Sequence, residues 1–271
     1  IYDEKQTAWI ELEYKDRIRF WERDPGFIIK SDKDGWTHLY RYSMDGKLIN
    51  RITDGKWCVA DLVLVDEAKG IIYFTARKEI TTNTDLYRVN LNGKNLKRLT
   101  SGDYTHSINR SPRGKYFIDT YSNVATPSIM KLYTTDGKLV RELGDSRTDE
   151  FEKYELAIPK IFHVRTSDGI NLPVIWTLPI KFDENKRYPV LIDVYGGPDT
   201  YDVSNSWKRL RSQWLAMEGI IQVTMDHRGS AHFGKKGTAL MHRQLGKWEM
   251  NDYIEVAKWL RANPFVDTSK I

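Results

Sequence analysis

The first half of the chain is written in short strand-like runs that repeat. Leu39-Tyr40-Arg41-Tyr42-Ser43-Met44-Asp45-Gly46-Lys47 returns 47 positions later as Leu86-Tyr87-Arg88-Val89-Asn90-Leu91-Asn92-Gly93-Lys94, and Thr53 and Thr100 hold the same register. A third copy, Leu132-Tyr133-Thr134-Thr135-Asp136-Gly137-Lys138, follows the second at a shift of 44. Each copy predicts a strand, a tight turn at Asp-Gly or Asn-Gly, and a second strand, because these residues tolerate the positive φ of a short hairpin. A further strand is predicted before each copy, at 26–30, 70–74 and 115–118. Four short strands in a unit of about 45 residues is the spacing of a β-propeller blade. A stack of hairpins in a sandwich would not need a register held over 47 residues. Three copies and a lead-in over 1–23 predict a partial propeller of about three to four blades, where closed rings carry about 4–8.

The period changes after Leu143. Gly144-Asp145-Ser146-Arg147-Thr148-Asp149-Glu150 is polar and predicts a linker, dividing the chain into a first domain over 1–150 and a second over 151–271. A strand hairpin is predicted over 161–178, turning at Ser167-Asp168-Gly169. Tyr188-Pro189-Val190-Leu191-Ile192-Asp193-Val194-Tyr195 predicts a strand buried on both faces. A helix follows, with Trp207, Leu210, Trp214 and Met217 on its apolar face, a cap among Ser204, Asn205 and Ser206, and Gly219 past its end. Residues 220–225 predict a second buried strand. A second helix over 250–262 presents Met250, Ile254, Ala257 and Leu260, and Asn263-Pro264 stops it. Strand, helix, strand, helix predicts a parallel sheet with right-handed crossovers, and the next strand is expected to start at Ser269-Lys270-Ile271.

Composition narrows the class. With 271 residues, 40% hydrophobic and a net charge of +5, the chain is not disordered. The longest apolar runs are four residues, far short of the roughly 20 of a membrane span. Cys58 is the single cysteine, so no disulfide framework exists. Acidic and basic residues alternate, as in Glu11-Leu12-Glu13-Tyr14-Lys15-Asp16-Arg17, and the one dense basic patch, Lys208-Arg209-Leu210-Arg211, falls on a predicted helix. No nucleic-acid partner is expected. Ile1-Tyr2-Asp3-Glu4 is neither a start methionine nor a signal peptide, so the sequence is expected to begin partway through a longer protein.

The candidate chemistry sits at the predicted strand ends. Tyr195-Gly196-Gly197-Pro198 ends a parallel strand, the edge at which open α/β sheets bind ligands. Gly196 and Gly197 let the backbone pass close to a substrate, and the Tyr195 phenol is placed to donate to a developing oxyanion. The alternative is a Gly-Gly-Pro turn with Tyr195 as a packing residue. Asp226-His227-Arg228-Gly229-Ser230 follows the next strand and reads as a structural turn held by Asp226 or Arg228. His227 and His232 lack a third ligand at metal spacing, so no metal is expected. His38, His106, His163 and His242 are expected at the surface or at blade edges. Asn109-Arg110-Ser111 matches a glycosylation sequon weakened by Pro112. No G-x-S-x-G elbow occurs, so no catalytic triad can be assigned to this chain.

Taken together, Asp34-Gly35-Trp36-Thr37-His38-Leu39-Tyr40, Asp193-Val194-Tyr195-Gly196-Gly197-Pro198, Asp226-His227-Arg228-Gly229-Ser230 with Phe233-Gly234, Leu245-Gly246-Lys247-Trp248-Glu249 and Phe265-Val266-Asp267 resemble the dipeptidyl peptidase IV branch of the prolyl oligopeptidase family. The resemblance implies a partial β-propeller followed by the N-terminal part of an α/β-hydrolase domain. It implies a serine exopeptidase that releases N-terminal dipeptides ending in Pro or Ala, with peptide substrates, no cofactor and a homodimeric parent. Tyr195 matches the family's oxyanion-hole tyrosine. The Ser, Asp and His of the triad are expected after Ile271, and the glutamates that hold the substrate's amino terminus before Ile1, so the chain alone is expected to be inactive. The alternatives are an inactive homologue whose propeller is a binding module, or an endopeptidase or esterase of the same superfamily. The lone cysteine fits a bacterial periplasmic or envelope protein better than a disulfide-rich ectodomain.

Overall fold

The computed structural model describes residues 2–10, 18–21, 25–207 and 210–271. Its contacts divide the chain into two units: Ile1–Tyr121 with Ile129–Asp145 and Gly234–Lys236, and Ser122–Ser128 with Ser146–Phe233 and Gly237–Ile271.

The repeat builds three four-stranded sheets whose strands lie in chain order. The first holds β1 (Ile18–Trp21), β2 (Gly26–Ser31), β3 (His38–Ser43) and β4 (Leu48–Arg51). The second holds β5 (Cys58–Asp66), β6 (Ile71–Arg77), β7 (Asp85–Asn90) and β8 (Lys97–Arg98). The third holds β9 (Thr105–Arg110), β10 (Tyr116–Ser122), β11 (Ile129–Thr134) and β12 (Leu139–Asp145). These are blades of a partial propeller. The lead-in supplies the first strand of the first blade, and the described residues hold three blades. The expected linker starts late, since Gly144 and Asp145 belong to β12.

Strand alternation explains how neighbouring blades join. On β6, Ile72, Phe74 and Ala76 pack into a core shared with Leu39, Ile52 and Trp57 of the first repeat. Tyr73, on the opposite face, packs with Leu86 of its own sheet and Phe117 of the third. A strand buried on both faces serves two interfaces at once.

The 47-residue shift has a hydrogen-bonded cause. Thr53 Oγ1 accepts the Leu39 N–H at 3.0 Å, and Thr100 Oγ1 accepts the Leu86 N–H at 3.1 Å. Thr53 faces His38 Nδ1 at 3.0 Å, while the Thr100 hydroxyl donates to Asp85 Oδ1 at 2.8 Å. The links onward to the next blade also repeat, with Val59 N–H to Thr37 O at 2.8 Å and His106 N–H to Thr84 O at 2.9 Å. Gly55 (φ +130°) and Gly102 (φ +86°) follow the two threonines, and an added Cβ would meet the rings of Trp57 at 2.3 Å and Tyr104 at 2.7 Å. A side chain at either position would be strained and would clash.

Two histidines depart from expectation. His38 is fully buried, with Nε2 3.0 Å from the Gly55 carbonyl and its ring edge-on to Trp57. His106 is buried against Asp119, Nδ1 to Oδ2 at 2.9 Å. Each imidazole is hydrogen-bonded in the interior through at least one ring nitrogen, so neither lies at the surface.

The second unit holds β13 (Lys160–Arg165), β14 (Asn171–Thr177), β15 (Val190–Ile192), α1 (Arg211–Met217), β16 (Ile221–Met225) and α3 (Trp248–Arg261), while the single turn α2 (Gly234–Thr238) is divided between the two units. The sheet order is β13-β14-β16-β15. β15 and β16 are parallel, with Leu191 opposite Gln222, and the hairpin β13-β14 is antiparallel. This is the opening part of an α/β-hydrolase sheet. Residues 265–270 run beside the start of β15: Tyr188 N–H donates to Phe265 O, and Val190 N–H to Lys270 O.

Burial in this unit corrects three expectations. β15 is three residues long and Leu191 is exposed, so only one of its faces is covered. On α1 the expected apolar face is outside, with Leu210, Trp214 and Met217 exposed, while Ser212, Gln213, Leu215 and Ala216 are buried. The cause is polar: Gln213 exchanges two 2.8 Å hydrogen bonds with the Ala157 backbone. None of the expected caps serves α1, whose N-cap is Leu210. Ser204 bonds Ser206, and Asn205 accepts the Val124 N–H. Lys208 and Arg209 of the basic patch lie outside the described residues. On α3, Val256 and Leu260 enter the core with Val174, Val223 and Met225, but Met250 and Ile254 are exposed and Asp252 is buried in their place.

Candidate active site

The chain leaves β15 through Asp193 and Val194 and reaches Tyr195, which is 72% exposed. Gly196 takes φ +85°. Gly197 lies under the Tyr195 ring, where a Cβ would meet Cε1 at 2.3 Å. The two glycines therefore let the loop turn and let the ring fold across it. An open cavity of about 600 Å³ lies beside Tyr195. Asp193 and Asp202 border it at the strand tips, Arg211 and Ser212 from α1, and Thr177, Gln222 and Thr224 from the sheet. Its size is within the roughly 300–1,000 Å³ of small-ligand sites.

The turn after β16 holds this loop. Tyr195 N–H donates to Asp202 Oδ2 at 2.9 Å. Asp226 is 1% exposed and accepts the Asp202 and Val203 N–H groups at 3.1 and 2.8 Å. His232 Nε2 stands 3.0 Å from Asp226 Oδ2, which requires the proton on Nε2 because a carboxylate only accepts. His227 accepts the Gly229 N–H at Nδ1, which leaves Nε2–H to donate to Gly197 O at 3.2 Å. Sequence segments 195–203 and 226–232 thus form one hydrogen-bonded body.

Arg228 fixes that body to the rest of the unit. Its guanidinium meets Asp252 through Nε and Nη2, the latter at 2.6 Å, and Asp168 through Nη1 at 2.6 Å and Nη2 at 3.1 Å. Its own N–H donates to Asp252 Oδ2 at 2.7 Å, and its charge lies 5.2 Å from the Trp248 ring centre. The Asp252 hydrogen bonds, followed by those of Asp168, raise the guanidinium's already high pKa. In return Arg228, then Thr166, holds the Asp168 carboxyl at about 2 against an ordinary 3.8.

Tyr195, Gly196, Gly197, Asp226 and Arg228 were all singled out from sequence, and they lie within this body. Sequence reasoning missed Asp202 and Asp252. Asp202 works through a backbone N–H, which no side-chain pattern marks. Asp252 carries a signal in hindsight, a carboxylate one turn before Val256 on the buried stripe of α3. Among the described residues no group of three His, Cys, Asp or Glu side chains is arranged to hold a metal ion, and no helix is long and apolar enough to cross a membrane.

Two family models match the chain. Residues 1–128 match the dipeptidyl peptidase IV (DPP IV) N-terminal region, and residues 206–271 match the prolyl oligopeptidase family. Dipeptidyl peptidase 4 of Trichophyton tonsurans is 31% identical over 257 residues, covering 90% of this chain and 33% of that protein. An Emericella nidulans protein described as "probable dipeptidyl peptidase 4" is 30% identical over 254 residues, with the same coverage. The crystal structure of Porphyromonas gingivalis dipeptidyl peptidase 4 superposes with a TM-score of 0.91 at 28% identity, covering 98% of this chain and 38% of that one. The chain therefore spans about a third of the length of the curated relatives it matches.

Proposed function

We propose a function from one premise: the chain belongs to the dipeptidyl peptidase IV branch of the prolyl oligopeptidase family. The protein that carries it is a serine peptidase that releases dipeptides ending in Pro or Ala from the amino terminus of peptides. Residues 1–150 contribute propeller blades and residues 151–271 the front part of the hydrolase domain. The observation that carries this reading is the placement of Tyr195, exposed beside an open cavity at the C-terminal tip of a parallel strand. There its phenol O–H donates to the oxyanion that forms when a serine attacks the peptide carbonyl. A preorganised donor of this kind lowers the barrier by about 3 kcal/mol. The nucleophile and its Asp and His partners come from sequence outside these 271 residues, which hold no G-x-S-x-G elbow.

The test is kinetic. In the full-length protein, Tyr195→Phe lowers kcat on a Gly-Pro chromogenic substrate by about 10² while the protein stays folded. An unchanged kcat returns Tyr195 to a packing role. The 271-residue chain alone leaves the same substrate uncleaved, and inhibitor-sensitive turnover by it would refute the assignment of the triad to other sequence.

A further inference from the structure

We propose that Asp202 is the positioning residue of Tyr195, acting as a neutralisable acceptor and not as a catalytic charge; the proposal rests on the reading of Tyr195 as the oxyanion donor. β15 ends at Ile192, so among the described residues no sheet partner orders the backbone at Tyr195. The contact that fixes it is the 2.9 Å hydrogen bond from its N–H to Asp202 Oδ2. Asp202 is itself held from behind, its own N–H and that of Val203 bonded to the buried Asp226, which also takes the His232 Nε2–H. The ring lies across Gly197, whose carbonyl accepts from Thr200 Oγ1 and His227 Nε2. Backbone direction at Tyr195 and the floor under its ring are therefore both set by the same stitched loop, and they aim the phenol.

Charge supports holding over catalysis. Asp202 borders the same cavity as Tyr195. A carboxylate there opposes the negative charge that an oxyanion develops. Holding the Tyr195 N–H asks of Asp202 an accepting oxygen, which a carboxamide also offers.

The experiment uses the full-length protein with Asp202→Ala, Asp202→Asn, Tyr195→Phe and the Tyr195→Phe/Asp202→Ala double variant, read as kcat and KM separately. Asp202→Ala should lower kcat by roughly 10- to 100-fold with KM within about threefold, the signature of a misplaced transition-state donor. Asp202→Asn should stay within about threefold of the parent in kcat, because the acceptor is kept. In the Tyr195→Phe background, Asp202→Ala should add less than about threefold, since residues acting as a unit are non-additive. Multiplying losses, or an Asn variant as poor as the Ala variant, would overturn the proposal, as would an Ala variant of normal kcat. A Tyr195→Phe protein with normal kcat would instead overturn the donor reading and this inference with it. If the Ala variant does not fold, Asp202→Leu, close in shape and unable to accept, takes its place.

Discussion

The blades and the hydrolase sheet hold themselves together by opposite means. In the blades the polar links are local and repeated: Thr53 serves Leu39 and His38, and Thr100 serves Leu86 and Asp85, each across 14 or 15 positions. In the second unit the link that ties the loops to the sheet and to α3 is distant and single. Arg228 reaches 60 positions back to Asp168 and 24 forward to Asp252. The difference predicts where damage is contained. A blade that loses its threonine leaves the next copy intact, whereas among the described residues nothing repeats the Arg228 clamp.

The largest expected effect follows from that contrast. Asp252→Ala removes the buried partner of the Arg228 guanidinium, leaves it only the half-exposed Asp168, and should cost about 3 kcal/mol in denaturant unfolding. A loss below about 1 kcal/mol would mean that water replaces the carboxylate and that the clamp is dispensable. Next is an acid effect in the first blade. Burial lowers the His38 imidazole to about 4 from an ordinary 6.5. The unfolded chain then binds the proton more readily, so stability is full above about pH 6.5 and falls as pH drops toward about 4, by about 3 kcal/mol in all. His38→Gln should flatten the profile over that window, and an unchanged slope would contradict the burial argument. Smaller still are the repeated hubs. Thr53→Val and Thr100→Val should each cost about 1–2 kcal/mol by leaving a strand N–H unpaired, with near-additive losses in the double variant. Strong coupling would show that the two hubs form one network.

The smallest effect sharpens the comparison inside the clamp itself. The Asp168 side chain is 53% exposed, so Asp168→Asn should cost under about 1 kcal/mol despite its two contacts with Arg228. Its folded carboxyl near 2 lies below the ordinary 3.8, so its contribution is present above about pH 4 and is lost as pH falls through about 2. An Asp168 effect equal to that of Asp252 would place both carboxylates in the same buried environment.

The blades were legible because each hydrogen-bonded hub leaves its own mark at a 47-residue shift: the threonine, the glycine two positions on, and the ring beyond it. The burial of His38 was not, since the residue in the equivalent position of the next blade is Asp85, and nothing in either side chain alone announces an interior site. The α1 face misled for a physical reason. Apolar periodicity pointed Trp214 and Met217 inward, while the bonds from Gln213 to Ala157 turn the other stripe toward the sheet. Around Tyr195 the strand-tip motif was readable, and its support was only half so. Asp226 and Arg228 stood out as charges after a strand, whereas Asp202 acts on a backbone N–H and has no spacing to betray it.

The proposed function requires a reaction centre within reach of the Tyr195 hydroxyl. A crystal structure of the full-length protein bound to a dipeptide boronic acid, which forms a tetrahedral adduct with an active-site serine, tests this directly. A boronate oxygen is expected about 2.7–3.1 Å from Tyr195 Oη. An adduct whose oxygens all lie beyond about 3.5 Å from that hydroxyl, with no hydrogen bond possible, would contradict it.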